Sequence, residues 1–171
     1  MPVAGQPTTA SVDALVRQLD TIYYVVKANT EGLTHQDSLV QPTPGGNCLN
    51  WVMGHVLTAR NGALELLGKE PIWDEATAAP YKRGSPALTD PSEAVPFDRI
   101  MADYDRSQEL IIQGMRELTP ERLAQKVPSV PTGERQEAVG MVLADIVFHD
   151  AYHAGQTGTL RHIAGKAGAI R

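Results

Sequence analysis

Apolar side chains recur at steps of three and four residues in several stretches of the chain, which is the pattern of amphipathic helices. The first predicted helix runs from Ser11 to about Thr30, before Gly32, and its apolar members are Val12, Leu15, Leu19, Ile22, Tyr23 and Val26. The second runs from the expected N-cap Asn47 to about Leu67, and its buried side consists of Trp51, Val52, His55, Val56, Ala59 and Ala63.

Two further helices are predicted in the second half of the chain. The third fits Phe97 to Leu118, and its apolar set is Ile100, Met101, Tyr104, Leu110, Ile111 and Met115. Thr119 followed by Pro120 is a cap and a first helical position, so a short extra turn is expected over residues 120–125. The fourth and longest helix is expected from Gln136 to Ala164, where Gly165 ends it.

The segments between these helices are rich in proline and glycine and are interpreted as loops: residues 33–46, 69–96 and 126–134. Residues 69–96 form a long, irregular connection between helices 2 and 3, and a loop of that length in a compact domain is often functional. Four long helices with no β-alternation predict an all-α fold, a four-helix bundle. We expect one domain over residues 1–171, with residues 1–10 frayed.

Charge and composition narrow the class of protein. The net charge is −5 and the 15 Lys and Arg residues are scattered, so no basic patch indicates a nucleic-acid partner. No stretch resembles a signal peptide or a membrane span, and the single cysteine, Cys48, cannot form an internal disulfide. The expected location is therefore the cytoplasm, with no membrane partner.

The histidines are the clearest candidates for a functional site, because three of them are placed where they could bind one metal ion. His149 and His153 are four residues apart on the predicted fourth helix, so both rings lie on one face within reach of one ion. His55 lies in an apolar stretch of helix 2 and should point into the bundle, where a polar ring needs a partner. Bundles build metal sites from facing helices in this way, although a histidine pair at this spacing is often only packed. His162 falls on the opposite face, and His35 lies in a loop.

Other residues near these histidines have weaker signals. Gln156 is expected either to orient a bound water or to pack, and Tyr152 either to donate to a substrate or to join the core. Arg60 is expected either to bind an anionic group or to be solvated, and the sequence favours the solvated arginine. A metalloprotease site of the HExxH kind is disfavoured, because Asp150 replaces the glutamate that acts as general base. Cys48 is expected to be a small packing residue rather than an activated thiol.

Two motifs resemble those of DinB-like proteins. The run from Pro44 to Val56, which contains Asn50-Trp51 and Gly54-His55, is similar to the second-helix motif of that family. The run from His149 to Gly158 is similar to its fourth-helix motif, in which two histidines four apart precede Gly-Gln. Both motifs occur in the right order, and the resemblance covers about residues 11 to 166.

The resemblance implies a four-helix bundle, often a homodimer, with a three-histidine metal site on His55, His149 and His153. Neutral imidazole suits zinc and nickel, so one of these divalent ions is the expected cofactor. Relatives include transferases and isomerases that use bacillithiol, mycothiol or glutathione, so a low-molecular-weight thiol is an implied second cofactor. The resulting hypothesis is a metal-dependent transferase or hydrolase that acts on a small molecule. The alternative is a non-catalytic, stress-related bundle that binds a metal or another ligand.

Overall fold

Four long helices form the body of the protein in a computed structural model that describes residues 9–129 and 135–170. They are α1 (Thr9–Thr30), α3 (Leu49–Leu66), α5 (Phe97–Arg116) and α7 (Val139–Ile163). α7 packs against α1 and α3, and α5 packs against the same two helices from the other side. The predicted all-α bundle is confirmed. Its shared core includes Leu19, Leu57, Ile100, Ile111 and Leu143, each at most 2% exposed.

The helix ends follow the local signals in most places. Gly32, Gly68 and Gly165 have φ values of 70°, 71° and 77°, the left-handed conformation that ends a helix at low cost in glycine. The predicted turn after Thr119 is α6 (Pro120–Ala124), and the Thr119 side chain accepts from the Arg122 amide. Of the segment expected to fray, residues 1–8 lie outside the described residues, whereas Thr9 and Ala10 belong to α1.

Two predicted boundaries were wrong. The N-cap of α3 is Cys48 rather than Asn47, and it makes no side-chain capping hydrogen bond. The fourth helix begins at Val139 because residues 136–138 form a strand instead. This strand, β2 (Gln136–Ala138), pairs antiparallel with β1 (Lys126–Pro128) in a small ribbon. The spacing of hydrophobic residues in the sequence did not predict this ribbon. Residues 130–134 of the loop expected at 126–134 lie outside the described residues.

The loop expected at 33–46 contains a short helix, α2 (His35–Ser38). Thr34 and Asp37 form a reciprocal capping box, in which each side chain accepts from the other residue's backbone amide. His35 is therefore helical rather than in a loop, and its Nδ1 accepts from the Phe97 amide at 3.2 Å. This contact ties α2 to the start of α5.

The connection at residues 69–96 is more ordered than its prolines suggest. It contains α4 (Glu75–Ala78) and two 3₁₀ turns at Ala79–Tyr81 and Pro91–Glu93. Trp73, Tyr81 and Leu88 are at most 4% exposed, so the segment contributes to the core. The Tyr81 hydroxyl donates to Asn50 Oδ1 at 2.9 Å and accepts from the Val95 amide at 2.8 Å.

The Tyr81 ring packs directly against the backbone of helix α3 because residue 54 of that helix is glycine. A Cβ on Gly54 would lie 2.5 Å from Cε1 and 2.6 Å from Cγ of the Tyr81 ring, and no real contact is that short. The glycine therefore lets the connecting segment approach the helix backbone. In the described part of the chain, no helix is long and apolar enough to cross a bilayer.

Substitution of Gly54 by alanine should destabilise the protein. The new methyl group would displace the buried Tyr81 ring, and overpacking of this kind costs about 1–3 kcal/mol. Chemical denaturation of Gly54→Ala beside Gly62→Ala measures the effect. Gly62 lies on the same helix with no atom within 4 Å of the added Cβ, so its variant should gain up to about 1 kcal/mol. Equal stabilities for the two variants would contradict the close approach.

Candidate metal centre

His55 is held in one orientation by the connecting segment. Its ring stacks on Trp51 with centroids 4.9 Å apart and planes 12° from parallel. Its Nδ1 lies 2.8 Å from the Tyr81 carbonyl oxygen, which can only accept, so Nδ1 carries the proton. Trp51 is fixed in turn, because its Nε1 donates to the Pro80 carbonyl and the Ser85 hydroxyl at 3.1 and 3.0 Å. His55 therefore presents the lone pair of Nε2.

His149 and His153 meet His55 from α7. Their two rings have centroids 4.4 Å apart, as expected for residues one helical turn apart. Nδ1 of His153 lies 2.6 Å from Gln156 Oε1, an amide oxygen that accepts the ring proton. His153 therefore also presents Nε2. Each His149 and His153 ring centroid lies 5.1 Å from that of His55.

One ring nitrogen from each histidine lies within 4.8 Å of the other two. The Nε2 atoms of His55 and His149 are 3.2 Å apart. Two nitrogens bound tetrahedrally to one zinc ion at about 2.0–2.1 Å lie about 3.4 Å from each other. The separation in the protein thus fits a single ion between the rings, and the donor set of three imidazoles is one that zinc and nickel accept.

Burial favours the neutral form of two of these rings, His55 and His153. Burial lowers the pKa of His55 below its usual value, and the neighbouring His149 adds to the effect. Burial also lowers the pKa of His153 to about 4, again with a contribution from His149. A neutral imidazole has a lone pair to offer a metal, whereas an imidazolium does not.

The three-histidine group is partly accessible to solvent. His55 and His149 are partly exposed and His153 is 8% exposed. No further cysteine, histidine or carboxylate among the described residues joins the three ligand atoms. Two surface hollows of about 550 and 590 Å³ lie elsewhere, along α5 and beside the end of α1, and contain no histidine. The histidines therefore define the candidate site.

Arg60 is not the solvated arginine that the sequence favoured. Its side chain is completely buried, and its guanidinium stacks 4.0 Å from the centroid of the Tyr104 ring. Nε donates to Asp150 Oδ2 at 2.8 Å, Nη1 to Ser107 Oγ at 2.8 Å, and Nη2 to Gln108 Oε1 at 3.0 Å. Arg60 thus joins α3 to α5 and α7, and it is too enclosed to meet a substrate.

Asp150 is the buried counter-ion of Arg60. Burial by itself would raise the pKa of its carboxyl, but the charge of Arg60 and its hydrogen bond outweigh this and lower the pKa overall. A buried carboxylate bound to a guanidinium cannot act as the exposed general base of a metalloprotease. The disfavoured HExxH interpretation therefore has no structural support.

The remaining candidates divide between the site and the core. Gln156 holds His153, as described above. Tyr152 is 60% exposed, so the core role weighed for it is wrong, and its ring packs edge-on against His153 with centroids 5.1 Å apart. Cys48 is fully buried and burial raises the pKa of its thiol, which fits a packing residue. His162 is exposed on α7, away from the group.

Sequence reasoning missed the supports of His55. Tyr81 and Ser85 lie in a stretch that was interpreted as irregular, 26 and 30 positions beyond the histidine they serve. The only signal was the length of the proline-rich connection, which indicated a functional segment without naming its residues.

The fold and the site define a four-helix bundle with a group of three histidines from two of its long helices. The chain belongs to the DinB superfamily, whose family model matches residues 18–157. A crystal structure of a conserved protein from Enterococcus faecalis has the same fold, with a TM-score of 0.67 and 18% identity over 95% of this chain and 100% of that one. No curated protein matches the sequence.

Removal of the Arg60 charge should be far more costly than removal of a surface charge. Arg60→Met leaves the Asp150 carboxylate buried without its partner, and breaking such a pair costs about 3–5 kcal/mol. Lys27→Met is the matched control, because Lys27 and its partner Asp105 are each 39% exposed and such pairs contribute about 0–1 kcal/mol. Urea denaturation compares the two. Similar losses would contradict the central role of the buried pair.

Proposed function

We propose that this protein is a divalent-metal-dependent enzyme acting on a small molecule, with the metal held by His55, His149 and His153. The observation that carries the proposal is the approach of two Nε2 atoms to 3.2 Å in rings whose Nδ1 atoms face other groups. Two lone pairs at that distance repel each other unless a proton or a cation lies between them. Zinc and nickel are the metals that the donor set favours.

The donor set also supports catalysis rather than a purely structural metal. Structural zinc sites are closed by four protein ligands, whereas catalytic sites have three and keep a position open. Here three histidines converge, two of them are partly exposed, and the described residues supply no fourth ligand. The non-catalytic bundle would instead need a fourth protein ligand to close the site.

A divalent ion on three neutral imidazoles would supply a Lewis acid that favours deprotonation of a thiol or of water near neutral pH. The protein's own residues provide the orientation. Tyr81 and Gln156 hold the Nδ1 atoms of His55 and His153, and the Trp51 ring covers one face of His55. The exposed phenol of Tyr152, next to His153, is the side chain we assign to substrate contact.

The reaction proposed is transfer of a low-molecular-weight thiol or hydrolysis. The two are distinguished by assaying metal-loaded protein on small electrophiles, with and without glutathione, bacillithiol or mycothiol. Thiol-dependent turnover that is lost in Tyr152→Phe with metal retained would support transfer and the assigned contact. Turnover independent of thiol would support hydrolysis. Absence of turnover, together with a fourth protein ligand on the metal, would support the non-catalytic bundle.

Metal content provides the primary test. Protein purified without a histidine tag should contain about one equivalent of zinc or nickel, and His55→Ala should contain almost none, because two imidazoles bind far more weakly than three. His162→Ala is the matched control, since it removes an exposed histidine of α7 outside the group. Elemental analysis gives the result. Equal metal in wild type and His55→Ala would overturn the proposed site.

The homodimer implied by the family resemblance is also a proposal. Met141 and Phe148 lie seven residues apart on one face of α7 and are 58% and 73% exposed. A patch of large exposed apolar side chains often marks a protein interface. The occupant we propose is the same face of a second copy of the chain.

Phe148→Asp should therefore convert a dimer to a monomer, because it places a charge in the apolar patch. Val40→Asp is the control, since Val40 is an exposed apolar residue outside α7. Sedimentation velocity reports the mass of each species. A wild-type protein that is monomeric at micromolar concentration would contradict the dimer.

A further inference from the structure

Two buried polar atoms beside the histidine group have no hydrogen-bond partner. They are Nδ1 of His149 and Oδ1 of Asp150. The two atoms face each other at 3.6 Å, a few tenths of an ångström beyond hydrogen-bond distance. Buried polar groups are nearly always paired, so two unpaired groups that face each other indicate a contact that forms in another state of the protein.

The rest of the Asp150 carboxylate is firmly held. Its Oδ2 accepts from Arg60 Nε at 2.8 Å, and the side chain is 1% exposed. The guanidinium is fixed in turn by Ser107 and Gln108 of α5. Asp150 therefore cannot turn away, and its free oxygen stays directed at the His149 ring.

The neutral His149 ring carries its proton on either Nε2 or Nδ1, and the two tautomers differ in what they offer a metal. With the proton on Nε2, the ring can donate to His55, but its bare Nδ1 then faces a buried carboxylate oxygen, which repels it. With the proton on Nδ1, the ring donates to Asp150 and Nε2 joins the Nε2 atoms of His55 and His153 as a lone pair. Only the second arrangement offers three nitrogens to one ion.

We propose that Asp150, held by Arg60, is the positioning residue of His149: its Oδ1 accepts the Nδ1 proton and so directs Nε2 into the metal site. This inference rests on the proposed metal-binding function and adds a residue to it. Each histidine then has its own acceptor, Tyr81 for His55, Gln156 for His153 and Asp150 for His149. Because α3 supplies both His55 and Arg60, the same ion pair sets the distance between the two helices that carry the ligands.

The sharpest variant is Asp150→Asn. Arg60 can only donate, so it takes the amide oxygen, and the amide NH₂ then faces His149 Nδ1. The ring proton is driven to Nε2, the wrong tautomer for coordination, as happens when the aspartate of a catalytic triad is replaced in this way. Zinc affinity should fall about 10–100-fold, the usual loss for such an orienting partner.

Ser107→Ala is the matched control. It removes one acceptor of Arg60 from α5 and so weakens the same buried network without touching the Asp150–His149 pair. Its melting temperature should fall, while its zinc affinity should stay within about two-fold of wild type. A loss of affinity equal to that of Asp150→Asn would overturn the proposal, because the effect would then come from stability alone.

A second readout needs no variant. Long-range ¹H–¹⁵N NMR of the wild-type protein locates the His149 ring proton, first with metal removed by a chelator and then with zinc. We expect the proton on Nδ1 in both states and the zinc-induced ¹⁵N shift on Nε2. A proton on Nε2 in the metal-free protein, or zinc on Nδ1, would overturn the role of Asp150. Failure to bind zinc at all would instead overturn the proposed function, and the metal-free spectrum would still decide the tautomer.

Discussion

The buried ion pair between Arg60 and Asp150 is the constraint on which the arrangement of this bundle depends. A charged group without solvent is tolerated only when its hydrogen bonds are made, so the guanidinium requires acceptors at fixed positions. They come from α5 and α7, while the arginine itself comes from α3. Apolar stripes alone would let these helices slide past each other. The ion pair specifies one register, and that register brings His55 opposite His149 and His153.

The connecting segment between α3 and α5 supplies the second constraint. Tyr81 fits against α3 only because position 54 is glycine, and its backbone carbonyl then reaches the neighbouring His55. Its hydroxyl closes the segment onto Asn50. One tyrosine thus links core packing to the orientation of one of the three candidate histidines. A long, proline-rich connection serves here as a rigid support, since its aromatic side chains are buried and its backbone carbonyls accept hydrogen bonds from side chains at several points.

The sequence predicted those features that depend on local spacing. The four long helices follow from apolar repeats of three and four residues, and the pairing of His149 with His153 follows from one helical turn. Short elements such as α2 and the β-ribbon were missed, because capping and long-range pairing decide them rather than periodicity. Arg60 was misjudged for a related reason. Its counter-ion lies 90 positions away, and nothing near it in the sequence indicates that its charge is neutralised in the core.

The proposed metal site separates the groups that orient the histidines from the side on which a reaction would take place. The groups that orient the rings, Tyr81, Gln156 and Asp150, lie on the Nδ1 side, and two of them are fully buried. Of the three converging rings, His55 and His149 are partly exposed, and Tyr152 beside them is open to solvent. Substitutions at the exposed edge should therefore leave the orientation of the three histidines unchanged. In the proposed site this division would let one histidine framework support different reactions, because the chemistry would depend on what occupies the open side and the geometry depends on what is buried behind it.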